Sequence, residues 1–164
     1  MKIALLSDVH DHELRLLSAL ERARELGCTH LFFMGDIATL STFRMLCEEW
    51  THGIDAVFGN NEYDWDAFHR IANQYSHVTL HGTVATLTTA DNRRCYLTHL
   101  PWKALQAAES GEYDAVFYGH THSADISQMG SCLLVNPGEI QGRQAPPGIG
   151  VYDTAAHQVT LYTV

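Results

Sequence analysis

The hydrophobic and polar positions of this chain change period in a regular order. "KIALL" near the start is a short continuous apolar run, the pattern of a strand buried on both faces. It gives way to "DHELRLLSALERARELG", in which Leu16, Leu17, Leu20 and Ala23 recur at helical spacing. Asp11 is the expected N-cap of this helix and Gly27 its expected C′ residue. The alternation then repeats. "THLFFMG" predicts a second strand and "STFRMLCEEW" a second helix opened by Ser41. "IDAVFGN" predicts a third strand and "DWDAFHRIANQY" a third helix capped by Asp64. Strands alternating with helices are the pattern of a parallel sheet built from crossover units.

The second half has a different rhythm. "HVTLHGTVATLTTADNRRCYLTHL" reads as short strands with a hairpin turn at "ADNRR", followed by a helix near "PWKALQAAESG". The strand "YDAVFYG" comes next, then two strands in "ADISQMGSCLLVNPG" joined at Met129 and Gly130. "GIGVYDTAAHQVTLYTV" is a closing hairpin that turns at Thr154 to His157. The expected fold class is α/β: a sandwich of two mixed sheets packed face to face and flanked by helices. With 164 residues, 46% hydrophobic and 18% charged, the whole chain from 1 to 164 is expected to form a single domain with its own core.

Composition narrows the function classes. No stretch approaches the roughly 20 apolar residues of a membrane helix, and "MKIALLSDVH" is too short in its apolar run for a signal peptide. A soluble cytoplasmic protein without a membrane partner is expected, with homo-oligomerisation left open. The formal net charge of −9 argues against binding extended nucleic acid, which favours a basic face. Cys28, Cys47, Cys95 and Cys132 form no C-x-x-C pair, so buried free thiols are expected rather than a zinc knuckle or redox pair.

The chemistry sits where the apolar runs stop. The first strand ends in "SDVH", presenting Asp8 and His10; the second ends in "GD", presenting Asp36; the third ends in "GNNE", presenting Asn60. "CYLTHL" presents His99, and "YGHTH" presents His120 and His122. Residues at i and i+2 of an extended segment point the same way, so the histidine pair is expected to project together. Each motif alone is more often a turn or a cap. Seven oxygen and imidazole donors in this order, each set at the end of a different run, point instead to one site outside the carboxyl ends of the strands. Carboxylate, amide oxygen and imidazole without thiolate suit manganese, iron, zinc or nickel. Seven ligands are too many for one such ion and suit two, the clamp used in phosphoryl chemistry.

"SDVH", "GD", "GNN", "TH" and "GHTH", in that order, resemble the five motifs of the calcineurin-like metallophosphoesterases, and the compact size is similar to the prokaryotic phosphodiesterases among them. The resemblance implies a β-sandwich of two mixed sheets and a binuclear metal-dependent phosphodiesterase, acting on small phosphate esters with a hydroxide bound between two divalent metals. Manganese is the first expectation for those metals. Asp8, His10, Asp36 and His122 would hold one ion; Asp36, Asn60, His99 and His120 would hold the other, with Asp36 bridging. Asp36, Asn60 and His99 are the residues expected to carry catalysis.

The motifs also depart from that family. Many members carry histidine after the metal-binding asparagine to assist the leaving group, whereas this chain has Asn61, which favours diesters over alkyl monoesters. His12 is a weaker candidate acid. Leu100-Pro101-Trp102 replaces a glycine, with Trp102 expected as a buried anchor for the next helix. "NPGE" stands where "NPGS" is common, and Arg143 follows as a candidate phosphate contact. The alternatives are a phosphomonoesterase and a non-catalytic scaffold similar to a retromer subunit of the same fold. Scaffolds of that kind show damaged ligand sets, and this chain does not.

Overall fold

In the computed structural model, which describes all 164 residues, β1 (Lys2–Leu6) is apolar from Ile3 onward because both of its faces are covered there. Ala4 and Leu6 face the helices, while Ile3 and Leu5 face the second sheet. The same alternation runs through β2 (His30–Phe33) and β3 (Gly53–Ala56), which lie parallel to β1 in register Ile3↔His30 and His30↔Gly53. Three crossover helices, α1 (Glu13–Glu25), α2 (Leu40–Glu49) and α3 (Trp65–Ala72), cover the outer face of this sheet. β4 (Val78–Leu80) adds a parallel edge strand, and β10 (Gly148–Asp153) and β11 (Gln158–Thr163) add an antiparallel hairpin on the other side. The order is β11-β10-β1-β2-β3-β4.

The second sheet has the order β5-β6-β7-β9-β8, from β5 (Val84–Thr88), β6 (Arg94–Thr98), β7 (Ala115–Phe117), β9 (Cys132–Asn136) and β8 (Asp125–Met129). β6, β7 and β9 are mutually parallel, with antiparallel strands at both edges. Leu97, Phe117 and Val135 pack against Leu5, Phe32 and Tyr152 of the first sheet, and this shared layer makes the structure a sandwich. α4 (Pro101–Glu109) covers the outer face through Ala104, Ala107 and Ala108. No helix is long and apolar enough to cross a membrane. All four cysteines are buried and unpaired, and burial pushes the Cys47 and Cys95 thiols up to about 12.

Two caps differ from the sequence expectation. Asp11 does not cap α1, whose N-cap is His12 without a side-chain bond. Asp11 Oδ1 instead accepts from the Thr39 amide at 3.1 Å, Thr39 Oγ1 at 2.6 Å and Thr42 Oγ1 at 2.9 Å, bracing the start of the next helix. α2 begins at Leu40 with Thr39 as N-cap, so Ser41 lies inside it. Asp64 caps α3 by accepting from the Ala67 amide at 3.0 Å, and Gly27 takes the left-handed φ of +78° after α1. The β8–β9 hairpin turns at Gly130 and Ser131, since Met129 already pairs with Cys132.

Asp55 is a polar exception on the sheet-facing side of β3. His30 and His81 each place Nε2 2.7 Å from one of its oxygens, tying β2, β3 and the residue after β4 together. Burial pushes this carboxyl up, but the two histidines outweigh it and hold Asp55 at about 2. The clasp answers the need to pair a charge that has been taken out of water.

Candidate metal centre

The parallel strands of both sheets release their chains at one edge of the sandwich. The Asp8 amide donates to the Gly35 carbonyl at 3.1 Å, the Gly119 amide to the His99 carbonyl at 3.2 Å, and the Ile140 amide to the Ser7 carbonyl at 3.1 Å. These bonds lock the loops after β1, β2, β6, β7 and β9 into one cluster. Asn136 adds a side-chain brace, donating from Nδ2 to the Gly119 carbonyl at 2.9 Å and to Thr121 Oγ1 at 3.0 Å. Glycine is required where the loops touch: a Cβ at Gly59 would collide with Asp36 Oδ1, and one at Gly119 with Ser7 Oγ.

The backbone of this cluster is unusual. Asp8, His10, Asp36, His120 and His122 all have φ between +44° and +72°, a region that non-glycine residues rarely occupy. Such conformations cost on the order of 1–3 kcal/mol each and persist only where the surroundings over-determine them. The histidine pair does not sit on the extended segment that the i, i+2 spacing predicts. β7 stops at Phe117, and His120 and His122 are presented by left-handed turns rather than by an extended strand. Their side chains diverge into two groups.

In one group, His122 Nε2 lies 3.3 Å and His10 Nε2 3.6 Å from Asp8 Oδ1, with the two rings stacked at 5.3 Å. In the other, Asn60 Oδ1 lies 3.0 Å from His99 Nε2 and 2.9 Å from His120 Nδ1. Asp36 Oδ2 stands between them, 3.5 Å from His10 Nε2 and 3.3 Å from His99 Nε2. The site has a buried floor and an open rim: Asp8, Asp36 and His99 are at most 1% exposed, whereas Asn60 and His120 face solvent. All seven residues singled out by sequence lie in this one cluster.

The hydrogen-bonding pattern leaves lone pairs facing one another. His99 Nδ1 sits 2.7 Å from the Met34 carbonyl, which can only accept, so Nδ1 carries the proton and Nε2 points a lone pair at Asp36 and Asn60. His122 Nδ1 sits 2.7 Å from Glu139 Oε2 and 2.8 Å from Gln141 Nε2; with Nδ1 donating to the carboxylate, the His122 Nε2 lone pair is turned toward Asp8. Asp8 Oδ1 and His10 Nε2 are buried without any hydrogen-bond partner. Asp8, His10 and His122, and separately Asp8, Asp36 and His99, each bring three ligand atoms within 4.8 Å of one another. Convergent carboxylate and imidazole atoms, two of them without a hydrogen-bond partner, fit divalent cations and suit first-row metals. Charge responds accordingly. Burial pushes Asp36 up, but His99 and Asn61 outweigh it and hold the carboxyl at about 2. The Asp8 carboxylate raises His10, while His99, which burial would lower, is raised by Asp36.

Two carboxylates that the sequence reading passed over support the cluster. Glu62, the last residue of "GNNE", is 5% exposed and accepts from the amides of Asp36 at 3.3 Å, Ala38 at 3.1 Å and Gly59 at 2.6 Å. It holds the two acidic turns together. Glu139 is fully buried; besides His122 it accepts from the Ala145 amide at 2.7 Å and the Gln144 amide at 2.5 Å, both on Oε1. The signal for both was present as an acid closing a turn motif, but only the tertiary contacts give it meaning.

Glu139 yields a sharp expectation. It uses one oxygen for His122 and the other for two amides, so a carboxylate fits and its amide does not. In Glu139→Gln the new –NH₂ group either faces those two amides or forces His122 to carry its proton on Nε2. Calorimetric titration of Glu139→Gln with a divalent metal should show affinity for one ion reduced on the order of 10–100-fold. Unchanged affinity would show that His122 is oriented by something else.

The remaining sequence candidates fall at or beyond the rim. Asn61 donates from Nδ2 to Asp36 Oδ2 at 2.6 Å and from its amide to Oδ1 at 3.0 Å, so its side chain is engaged in holding a carboxylate. Trp102 is not a buried anchor: it is 60% exposed, because Leu100 and Pro101 start α4 and the inward positions of that helix go to alanines. Arg143 is exposed on the loop after Glu139, and His12 is half-buried at the N-cap of α1.

Comparison with known proteins identifies a phosphoesterase family. Residues 1–157 match the family model of the calcineurin-like phosphoesterase superfamily domain. A curated phosphodiesterase of Methanocaldococcus jannaschii is 28% identical over 157 residues, covering 94% of this chain and 93% of that protein. The solved structure of an archaeal phosphodiesterase superposes with a TM-score of 0.91 at 26% identity, covering 100% of both chains. Vacuolar protein sorting 29 of Entamoeba histolytica shares the fold at a TM-score of 0.68 and 13% identity, covering 100% of this chain and 98% of that one.

Proposed function

The chain belongs to the calcineurin-like phosphoesterase superfamily, and on that premise we propose that it is a binuclear metal-dependent phosphodiesterase acting on small phosphodiesters. Asp8, His10, Asp36 and His122 would hold one ion and Asp36, Asn60, His99 and His120 the other, with manganese first and iron, zinc or nickel as alternatives. Bound there, two such ions supply a water-derived nucleophile at neutral pH and a clamp on the attacking and leaving oxygens. The protein's own contribution is placement. Glu62 fixes the turns that carry Asp36 and Asn60. Glu139 and the Met34 carbonyl fix which nitrogen of His122 and of His99 bears the proton. The observation that carries the reading is the buried pair of unpartnered atoms, Asp8 Oδ1 and His10 Nε2, facing each other across the floor of the site.

Preference for diesters follows from Asn61. Its amide is committed to Asp36 and has no proton to give at a useful pKa, so poor leaving groups go unassisted. The scaffold alternative lacks support from the site, where all seven donors converge. The test is hydrolysis of bis(4-nitrophenyl) phosphate by metal-stripped protein, followed by manganese. Activity should be absent after chelation and restored by the metal. A rate that is the same with and without chelator would end this reading.

A further inference from the structure

The proposed centre accounts for the phosphate but for neither of its substituents. Three large aromatic side chains are exposed on this protein, Tyr63 at 87%, Trp102 at 60% and Trp65 at 43%, and all three follow the loops of Asn60 and His99. Trp65 is tied down: its ring stacks on Phe58 at 4.7 Å and its indole N–H donates to the Glu62 carbonyl at 2.9 Å. Trp50, the third tryptophan, is buried and donates to the Gly53 carbonyl at 3.3 Å. Tyr63 and Trp102 differ from both. Neither makes a hydrogen bond through its side chain, and neither ring stacks on another aromatic.

Both follow closely on ligand residues in the chain. Tyr63 is three residues past Asn60 and Trp102 three past His99, so each Cα lies within about 11 Å of its ligand residue's Cα. Those two ligand side chains are themselves 3.0 Å apart. The starting points of both segments are held, Tyr63 by the neighbouring clamp of Glu62 and Trp102 by the start of α4 at Pro101. Lys103 Nζ lies 5.5 Å from the Trp102 ring centroid while donating to Thr83 Oγ1 at 3.2 Å. An aromatic side chain kept in water beside a phosphate site offers a platform for a planar group.

We propose that Trp102, with Tyr63, forms a stacking subsite for a nucleobase, making the substrate a nucleotide-sized phosphodiester. The proposal deepens the phosphodiesterase reading, taking the phosphate to sit at the metal centre. The size limit comes from charge: a net −9 disfavours a long polyanion, and stacking selects the base without requiring one.

Two esters with the same leaving group separate base recognition from chemistry: thymidine 5′-(4-nitrophenyl) phosphate and methyl 4-nitrophenyl phosphate. With manganese-loaded wild-type protein, kcat/KM should favour the nucleoside ester on the order of tenfold. Trp102→Ala should bring the ratio close to one, Tyr63→Ala should lower it in part, and Leu105→Ala, one turn further along α4, should leave it alone. Thymidine monophosphate should quench the tryptophan fluorescence of wild type saturably and that of Trp102→Ala not at all. A ratio near one in wild type, or an unchanged ratio in Trp102→Ala, overturns the subsite while leaving the phosphodiesterase reading intact. Saturable, Trp102-dependent quenching without hydrolysis of either ester keeps the subsite and defeats that reading. A dimer that Trp102→Ala dissolves, with the ratio unchanged, would assign this face to a second copy of the chain and overturn the proposal.

Discussion

Asp36→Asn should abolish turnover and lower metal content together. Asp36 is 1% exposed, and every polar atom it carries is in use. Oδ1 accepts from the amides of Asn60 at 2.8 Å and Asn61 at 3.0 Å; Oδ2 accepts from Asn61 Nδ2 at 2.6 Å and faces His10 and His99. An asparagine has no good orientation there. With its –NH₂ group on the Oδ1 side it meets two amide donors; on the Oδ2 side it meets the Asn61 amide and turns a donor toward the metal position. It also removes the charge placed between two cations. Changes in residues that only orient metal ligands cost 10–100-fold, so loss of the bridging ligand should exceed about a hundredfold in kcat/KM. Circular dichroism of the variant checks that the fold persists. If Asp36→Asn retained both ions and most of its activity, the bridging role would be wrong.

Much of this candidate site is legible in the sequence, for a physical reason. Strands buried on both faces are continuous apolar runs, and the residues that stop such runs must sit at the sheet edge where ligands bind. That is why Asp8, Asp36, Asn60, His99 and His120 are visible in the pattern. The hairpin at Thr154 to His157 and the Asp64 cap are local features and equally readable. What was hidden depends on contacts between distant segments. Asp11 looks like the cap of the helix it precedes, yet it spends its oxygen on Thr39 and Thr42. Glu62 and Glu139 look like turn residues until the amides they collect from other loops are seen. The left-handed φ of five candidate ligands could not be read from residue type, since aspartate and histidine do not announce it as glycine does. Trp102 departs from expectation because an indole beside a helix start usually packs inward, and here alanines fill that layer.

The two histidines of "YGHTH" should prove inequivalent. His122 lies with Asp8 and His10 and is oriented by Glu139, whereas His120 lies with Asn60 and His99, its Nδ1 3.2 Å from His99 Nε2. His122→Ala should therefore weaken the ion held by Asp8 and His10 and spare its neighbour, and His120→Ala should do the reverse. The rim position of His120 makes its replacement the milder one for folding, since the side chain is exposed. Hydrolysis should fall strongly in both, because the two ions act jointly on attacking and leaving oxygens. Anomalous scattering from crystals of each variant soaked in manganese would show which peak is missing. Loss of the same peak in both variants would contradict the division of the site, and two full peaks with near-normal rates in both would contradict the ligand assignment itself.

These seven residues are proposed to hold two divalent ions that act together on a phosphodiester. A titration decides this: metal-stripped protein receives manganese in increments while bound metal and the rate of bis(4-nitrophenyl) phosphate hydrolysis are followed in the same samples. Saturation is expected at two ions per chain, with the rate rising mainly as the second site fills. Saturation at one ion with full activity, or a rate that does not follow bound metal, would contradict it.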